Sequence, residues 1–406
     1  MKPIAKSNKL NNVCYDIRGP VLDEAARMEA QGIEILKLNI GNPAPFRMAA
    51  PDDIIENMSR NLRYAEGYSD SKGILSARRA IQSYCARKNI PNVGLQDIYT
   101  GNGVSELIVS SMQALLDNGD EILIPSPDYP LWTAAVTLAG GNAVHYVCDE
   151  SAGWHPDFDD IRKKITPKTK GIVVINPNNP TGALYPDDVL IGITEIAREH
   201  GLIIFADEIY DRIVMDGLGH KAIASFAPDL LVVNFNGLSK SHKIAGFRCG
   251  WMALSGEKSH AKGYIEGLNM LASMRLCSNV PAQYVIETAL NSTTTAPDPA
   301  LLPGGRIYEQ RETICNAINA IPGLSVSRPQ AAFYIFPRID AKQFNITDDE
   351  RFVLDFLKEK HVLLVHGKGF HYNEPDHFRI VYLPEKAVLL DAMERMGDFL
   401  ANYRQA

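Results

Sequence analysis

The sequence predicts an α/β protein in which a large, mostly parallel sheet is covered by helices and a smaller α+β unit follows. Three observations lead to this prediction. Between roughly residues 95 and 255, short β-rich runs alternate with helix-length segments, as in parallel sheets with helical crossovers. After about residue 305 the regular alternation ends. The length of 406 residues also exceeds what one hydrophobic core usually supports.

The predicted strands of the large unit are short runs of β-branched and other apolar residues. They occupy residues 97–100, 121–124, 143–147, 171–175, 202–206 and 231–235. An apolar helix is predicted over 107–116. The smaller unit is predicted to contain helices at 306–320 and 349–358, strands at 323–327, 332–336, 362–365 and 378–383, and a final helix.

These elements divide the chain into a large domain at 46–304 and a C-terminal small domain at 305–406. The stretch NSTTTAPDPALLPGG at 291–305 is rich in Thr, Pro and Gly, which is typical of a surface connection. Residues 1–45 hold no complete unit of their own. We expect this N-terminal segment to pack on the small domain or across a subunit boundary.

Composition narrows the class of protein. The net charge is -7 without a dense Lys/Arg cluster, so neither nucleic acid nor an anionic membrane is an expected partner. The six cysteines lie far apart without a Cys-x-x-Cys pair, which argues against a zinc site or a disulfide framework. The N-terminus lacks the apolar core of a secretory signal, and no apolar run approaches about 18 residues. A soluble, cytoplasmic protein without a bound metal is expected.

Five polar clusters follow the predicted strands of the large domain. Ligands of open α/β sheets bind beyond the carboxyl ends of the strands, so these clusters are expected to share one cleft. They are GNGVSE at 101–106, PDYP at 127–130, NPNNPTG at 176–182, ADEIY at 206–210, and GLSK at 237–240 with IAGFRCG at 244–250.

Three of the clusters combine stiff turns with groups that can contact a ligand. Free N–H groups where GNGVSE opens a helix, with the Ser105 hydroxyl, can hold a phosphate, although a capped turn looks the same. The two prolines of NPNNPTG stiffen a loop that can present an amide. Tyr129 in PDYP can stack on a flat ring or fill the core, and both interpretations stay open.

The other two clusters carry ionisable groups. Asp207 and Glu208 end an apolar strand, so at least one carboxylate is expected to be buried against a cation such as a protonated pyridine nitrogen; a metal site or a solvated edge is the alternative. Lys240 follows a buried strand and a glycine-rich bend, with Arg248 eight residues on. Partial burial and nearby positive charge favour loss of the lysine proton, as formation of a Schiff base requires.

The order NPNNPTG, ADEIY, then SLSK with IAGFRCG resembles the class I aminotransferases of pyridoxal-phosphate (PLP) fold type I. The resemblance covers essentially the whole chain. The segments CYDIRGP, LNIGNPAPF, GYSDSKG, GNGVSELI, PDYPLW and HFRIVYLP are similar to the alanine aminotransferase branch and its bacterial glutamate–pyruvate enzymes. The resemblance implies PLP as cofactor and a ping-pong transfer of the amino group from L-alanine to 2-oxoglutarate, giving pyruvate and L-glutamate.

The resemblance also implies roles for residues around the cofactor ring. Lys240 is expected to form the Schiff base with PLP and to carry the proton of the substrate α-carbon. Asp207 is expected to keep the pyridine nitrogen protonated. Asn179 and Tyr210 are expected to donate to the phenolic oxygen, and Tyr129 to stack on the ring.

The phosphate is expected to bind at four residues of the chain, namely Val104, Ser105, Ser239 and Arg248. Tyr68 resembles the tyrosine that reaches the phosphate from the neighbouring subunit, which implies a homodimer with active sites at its interface. The stretch Ser241-His242-Lys243 after the lysine is a slight departure from the pattern that the resemblance implies.

For the substrate, the resemblance implies that Arg379 binds the α-carboxylate with two parallel donors, beside Asn179. Taken alone, an arginine on a strand is more often an ordinary ion-pair partner. Gly41 is expected to leave room for the substrate. Tyr15 and Arg18 are expected to contact its side chain or a second carboxylate.

Two other classes of function fit these residues less well, and two other PLP reactions stay open. A NAD-dependent dehydrogenase normally has Gly-x-Gly-x-x-Gly, and GNGVSE lacks the third glycine. A transcription regulator with an aminotransferase-like sensor needs a helix-turn-helix module before the PLP domain, and the motif positions leave no space for one. Transamination of other small or aromatic amino acids and a PLP-dependent β-lyase reaction both stay open.

Overall fold

A computed structural model describes residues 3–13, 19–291 and 298–405 of the chain. The expected substrate contacts Tyr15 and Arg18 lie outside these residues. Within the described residues, no helix combines the length and the apolar character needed to cross a membrane.

The strands are, in chain order, β1 (Leu36–Lys37), β2 (Ile98–Asn102), β3 (Glu121–Ser126), β4 (Asn142–Asp149), β5 (His155–Pro156), β6 (Thr169–Ile175), β7 (Ile203–Asp207), β8 (Leu231–Gly237), β9 (Cys249–Gly256), β10 (Leu324–Ser325), β11 (Tyr334–Ile335), β12 (Arg338–Ile339), β13 (Val362–Leu363), β14 (Val365–His366) and β15 (Phe378–Val381). The α-helices are α1 (Pro20–Ala30), α2 (Asp52–Asn61), α3 (Leu75–Arg87), α4 (Val104–Leu115), α5 (Leu131–Leu138), α6 (Phe158–Lys164), α7 (Asp187–His200), α8 (Lys262–Met274), α9 (Val280–Asn291), α10 (Arg306–Asn319), α11 (Ala341–Phe344), α12 (Asp349–Lys360) and α13 (Lys386–Asn402).

The described large domain is built on an eight-stranded sheet with the order β2-β9-β8-β7-β6-β3-β4-β5. Strands β4, β3, β6, β7 and β8 pair in parallel. Strand β9 lies antiparallel between β8 and β2, and β5 lies antiparallel on β4. The predicted α/β class with a mostly parallel sheet is confirmed.

All six predicted strands of the large domain occur in this sheet, with ends shifted by a few residues. Strand β9 was not predicted. It follows the glycine-rich motif without an intervening helix, so the alternation that revealed the other strands gives no signal for it. Every residue of β9 is buried, because the strand is inserted between two others.

Helices cover both faces of the sheet. On one face α3, α7 and α9 contribute to a core that includes Ile81, Ile193 and Val285. On the other face α4, α5 and α8 contribute Met112, Trp132 and other apolar side chains. Because both faces are buried, the central strands are nearly continuous apolar runs rather than alternating ones.

The C-terminal elements share a second core with the N-terminal residues from Val21 onward and with Tyr210, Ile213 and Met215 of the large domain. Strand β1 pairs in parallel with β13, and Val21 and Leu38 share the core with residues of α12 and α13. Three C-terminal side chains, Phe336, Val365 and Phe370, pack instead into a core of the large sheet. On this basis we propose that residues 1–45 pack with the C-terminal domain at 305–406, and that the two together pack on the large domain at 46–304.

The predicted C-terminal strands are shorter in the structure. The run predicted at 362–365 forms two strands with different partners, β13 on β1 and β14 on β15. Pairing is set by neighbours that are distant in sequence, so a local pattern marks the apolar run but not where its pairing changes.

Candidate active site

The five polar clusters meet in one cavity of about 290 Å³ at the carboxyl ends of the parallel strands. Side chains from every cluster line it. They are Val104 and Ser105, Tyr129, Asn179, Asp207 and Tyr210, and Ser239, Lys240 and Arg248. Gly41 and Arg379 line it from outside the sheet.

Lys240 lies in this cavity, on the turn that follows β8. Its side chain is half-buried, and Nζ donates a hydrogen bond to the carbonyl oxygen of Gly41 at 2.7 Å. Nζ also lies 6.0 Å from the centre of the Tyr210 ring. The amine is thus directed into the cavity by contacts with the N-terminal segment and with the loop after β7.

Asp207, at the end of β7, is buried and faces the same cavity. Its carboxylate accepts from the Trp132 indole Nε1 at 3.1 Å and from the Ile209 N–H at 3.4 Å. Both donors are neutral, and burial raises the pKa of Asp207 to about 6. A cation placed against this carboxylate would therefore be strongly stabilised.

Tyr210 and Tyr334 form a hydroxyl pair beside Lys240, with 2.7 Å between the oxygens. Burial raises the pKa of Tyr210. Burial also acts to raise the pKa of Tyr334, but the positive charges of Lys240 and Arg379 hold it below its usual value. Sequence reasoning missed Tyr334, because a tyrosine in the apolar run AAFYIF looks like a core residue.

Arg379 projects from β15 into the cavity and is buried. Nη1 donates to Asn179 Oδ1 at 2.9 Å, and Nη2 donates to the carbonyl oxygen of Asn39. The guanidinium carbon lies 4.5 Å from the ring centres of both Tyr334 and Phe370. It is therefore buried against two aromatic rings and is not in the surface ion pair that was the alternative.

The opposite end of the cavity is suited to an anion. Helix α4 starts there, and the first N–H groups of a helix lack intrahelical acceptors. Gly103, with φ of 80°, precedes it, and a Cβ at this position would lie 2.2 Å from Arg248 Nη2. Only glycine therefore lets the Arg248 guanidinium approach the helix start.

Of two further predicted residues, Gly41 lines the cavity and Tyr68 does not. A Cβ added to Gly41 would lie 2.2 Å from the Tyr334 hydroxyl, so this glycine keeps the cavity open. Tyr68 does not line the cavity of its own chain, and its side chain is 83% exposed. Asn39, which lines the cavity, was not predicted.

Glu208, the second acid of ADEIY, points away from the cavity. Its carboxylate is buried, and Oε1 accepts from the Ile223 N–H at 3.1 Å. Burial, reinforced by the negative charge of Asp211, raises the pKa of Glu208 to about 8. The two neighbouring carboxylates thus face different surroundings, which does not support the alternative of a shared metal ion.

The raised pKa of Glu208 predicts a pH-dependent stability. Between its ordinary value of 4.5 and about 8, the folded protein keeps this proton while the unfolded chain has lost it. The contribution of Glu208 is therefore complete below pH 4.5 and is lost as the pH rises through 8. We expect Glu208→Gln, which cannot ionise, to gain unfolding temperature over the wild-type protein as the pH rises from 5 to 8.5.

Thermal unfolding of both proteins at the two pH values measures this difference. Glu199→Gln, at a side chain that is 59% exposed, is the matched control and should show no such change. A Glu208→Gln difference that is the same at pH 5 and pH 8.5 would contradict the prediction.

The residues present fit a phosphorylated, cationic aromatic ring that bears a carbonyl group. Asp207 offers a buried anion to a ring cation, and the start of α4 with Ser239 and Arg248 offers donors to a phosphate. Tyr129 provides an aromatic face, and Lys240 provides the amine. These are the properties that PLP requires of its site.

The fold and this site define an aminotransferase. The sequence profile of the family "Aminotransferase class I and II" matches residues 33–395. The chain belongs to this family, whose members depend on PLP, and the predicted family is confirmed.

Within the family, the chain is 60% identical over 405 residues to the glutamate-pyruvate aminotransferase AlaA of Escherichia coli strain K12, covering 100% of both chains. It is 53% identical to the alanine aminotransferase of Mycobacterium bovis, covering 100% of this chain and 94% of that protein. Among solved structures, an Escherichia coli aminotransferase has a TM-score of 0.97 at 60% identity over 100% of both chains. An alanine aminotransferase of Pyrococcus furiosus has a TM-score of 0.93 at 39% identity, covering 98% of this chain and 100% of that one.

Proposed function

We propose that this aminotransferase binds PLP in the cavity described above and converts L-alanine and 2-oxoglutarate into pyruvate and L-glutamate. The observation that carries the proposal is the arrangement of four charged groups around one cavity. The cavity is lined by the Lys240 amine, the buried Asp207 carboxylate, the Arg248 guanidinium and the buried Arg379 guanidinium. The names of the relatives at 60% and 53% identity support alanine and glutamate as the amino acids.

The reactive end of the cavity is formed by Lys240, Tyr210 and Asp207. When bound, PLP supplies an electron-withdrawing ring that stabilises negative charge at the substrate α-carbon. Lys240 Nζ would hold the cofactor and would move the proton of that carbon. The Asp207 carboxylate would keep a proton on the ring nitrogen, and Tyr210 and Asn179 would donate to the phenolic oxygen.

The substrate end is formed by Arg379 and the residues around it. A guanidinium offers parallel donors to the two oxygens of a carboxylate, and here it is oriented in advance by Tyr334 and Phe370. Its Nε has no hydrogen-bond partner among the described residues. A substrate α-carboxylate would satisfy this buried donor, while Gly41 leaves space beside it.

We also propose that the enzyme is a homodimer in which Tyr68 serves the cavity of the partner. Tyr68 is 83% exposed, and large apolar side chains nearby in sequence or structure are exposed with it. Tyr64 is 73% exposed and Met274, at the end of α8, is 77% exposed. The neighbouring Arg275 donates to the Ser71 carbonyl oxygen at 2.8 Å, which brings this helix end next to the Tyr68 turn. Burial of such a surface by a second copy would remove apolar area from water.

The test of the function is a visible absorbance spectrum of the purified, PLP-loaded enzyme, first with L-alanine and then with 2-oxoglutarate. The expected result is loss of the cofactor band with L-alanine and release of pyruvate, then return of the band with 2-oxoglutarate and release of L-glutamate. A band that L-alanine leaves unchanged would refute the alanine assignment, and release of ammonia from a β-substituted amino acid without the second half-reaction would indicate a β-lyase. No cofactor band after incubation with PLP would overturn the whole proposal.

A further inference from the structure

A hydrogen-bonded group of four side chains lies outside the residues assigned so far. The Asp128 carboxylate is fully buried, and it accepts from His371 Nδ1 and from Thr133 Oγ1, both at 2.7 Å. A carboxylate can only accept, so Thr133 gives its proton to Asp128 and its oxygen accepts from His145 Nε2 at 2.9 Å. Burial alone would raise the pKa of Asp128, but the neighbouring imidazoles of His145 and His371 hold it below its usual value.

The arrangement of this group favours hydrogen bonding over a metal site. Ligand atoms of Asp128, His145 and His371 lie within 4.8 Å of one another, which is close enough for a shared ion. The two imidazole rings, however, are stacked with 4.8 Å between their centres and 18° between their planes. A metal ion binds an imidazole in the plane of its ring, and two stacked, nearly parallel planes do not meet at one ion.

The group joins the large domain to the C-terminal unit. Besides the Asp128–His371 bond, the Asp128 N–H donates to the Phe370 carbonyl oxygen at 2.9 Å. The Ser126 hydroxyl donates to the His371 carbonyl oxygen at 2.7 Å. Three hydrogen bonds thus connect the end of β3 with a segment more than 240 positions later in the chain.

Both ends of this connection reach the candidate active site. Tyr129, directly after Asp128, lines the cavity. Phe370, directly before His371, lies against the Arg379 guanidinium. Thr133, which also belongs to the group, directly follows Trp132 in the sequence, and Trp132 donates a hydrogen bond to Asp207. Neither Asp128 nor His371 lines the cavity.

We infer that Asp128 and His371 are positioning residues. They hold Tyr129 at a fixed separation from Phe370 and from the Arg379 guanidinium that packs against Phe370. The inference rests on the proposed function, in which Arg379 binds the substrate carboxylate. A guanidinium that is misplaced by a fraction of an ångström loses one of its two parallel hydrogen bonds to a carboxylate. The pair therefore acts on substrate binding more than on proton transfer at Lys240.

Two variants weaken the side-chain part of the connection, and a third preserves it. Asp128→Asn keeps the shape but removes the charge, and His371→Ala removes the donor. His371 has φ of 53°, a left-handed conformation that asparagine tolerates better than most residues. His371→Asn also places an N–H close to the position of Nδ1, so it is the conservative variant.

Steady-state kinetics of the PLP-loaded enzymes test the inference. We expect Asp128→Asn and His371→Ala to raise KM for amino donor and 2-oxo acid about tenfold, with kcat within about threefold of wild type and His371→Asn near wild type. The inhibition constant of propionate, a carboxylic acid that cannot react, should rise in parallel with KM, because it reports binding at Arg379 alone.

A matched control separates positioning from stability. Asp216 accepts from Arg311 Nη1 and Nη2, both at 2.7 Å, and so also joins the large domain to the C-terminal unit, but neither residue lines the cavity. Asp216→Asn should lower the unfolding temperature and leave KM unchanged. Unchanged KM in Asp128→Asn, or an equal rise in Asp216→Asn, would overturn the inference.

The same experiment distinguishes a failed inference from a failed function. Wild-type turnover with L-alanine is measured first, and if another amino acid is the donor, the comparison of variants uses that donor. The assignment of L-alanine as donor then fails, but KM for the other donor and the inhibition constant of propionate still decide the positioning role. If His371→Ala does not fold, the isosteric Asp128→Asn decides the result.

Discussion

Replacing Lys240 by alanine is expected to lower kcat for L-alanine and 2-oxoglutarate by at least about a thousandfold, because the variant loses both the attached amine and the group that moves the proton. The cavity should still bind PLP through its phosphate and ring contacts. The measurement is steady-state kcat together with the cofactor content of the purified variant, read from its absorbance.

Lys243→Gln is the matched control for this variant. Lys243 lies three residues further on, and its Nζ forms an ion pair with Asp298 at 2.9 Å without lining the cavity. The control should keep kcat near wild type. Because Lys240→Ala leaves space for a small primary amine, adding one should restore part of the rate. Full activity of Lys240→Ala without added amine would refute the assignment of this lysine.

Replacing Arg379 by lysine is expected to raise KM for both the amino acid and the 2-oxo acid by between about tenfold and a hundredfold. Lysine keeps the positive charge but offers a single ammonium in place of parallel donors. It also lacks the planar guanidinium group that packs against Tyr334 and Phe370. The absorbance of bound PLP should be unchanged, since Arg379 is at the substrate end of the cavity.

Arg351→Lys provides the comparison for Arg379. Arg351 belongs to the same C-terminal unit but forms an exposed ion pair with Asp355 within α12. Exposed pairs of this kind contribute little, so KM should remain at the wild-type value. A KM that Arg379→Lys leaves unchanged would show that the substrate carboxylate binds elsewhere.

The strand-end clusters could be predicted from sequence because the signal is local. An apolar strand followed by polar residues and a turn occurs within about ten positions, as in the run leading to Asp207. Parallel strands then bring such ends to the same edge of the sheet. The position of Arg379 was different, since only the family resemblance distinguished it from an ordinary arginine on a strand.

Other parts of the site gave no local signal. Tyr334 and Trp132 look like core aromatics in sequence, and their polar atoms find Tyr210 and Asp207 only in the folded chain. Asn39 contacts Arg379 across more than 300 positions through its backbone carbonyl, which carries no residue-specific signature. The antiparallel strand β9 was missed for a related reason, because its place depends on two neighbours distant in sequence.

The sequence by itself determined the α/β class, most of the strands, the strand-end clusters and, through motif order, the family of PLP-dependent aminotransferases. Hydrophobic periodicity and turn residues act over short distances, so they can be recognised without a fold. Only the tertiary structure decided that Asp207 faces the cavity while Glu208 does not, that Tyr334 joins Tyr210, and that Asp128 meets His371. Burial and hydrogen-bond partners are properties of the packed chain, and they depend on contacts between segments hundreds of residues apart.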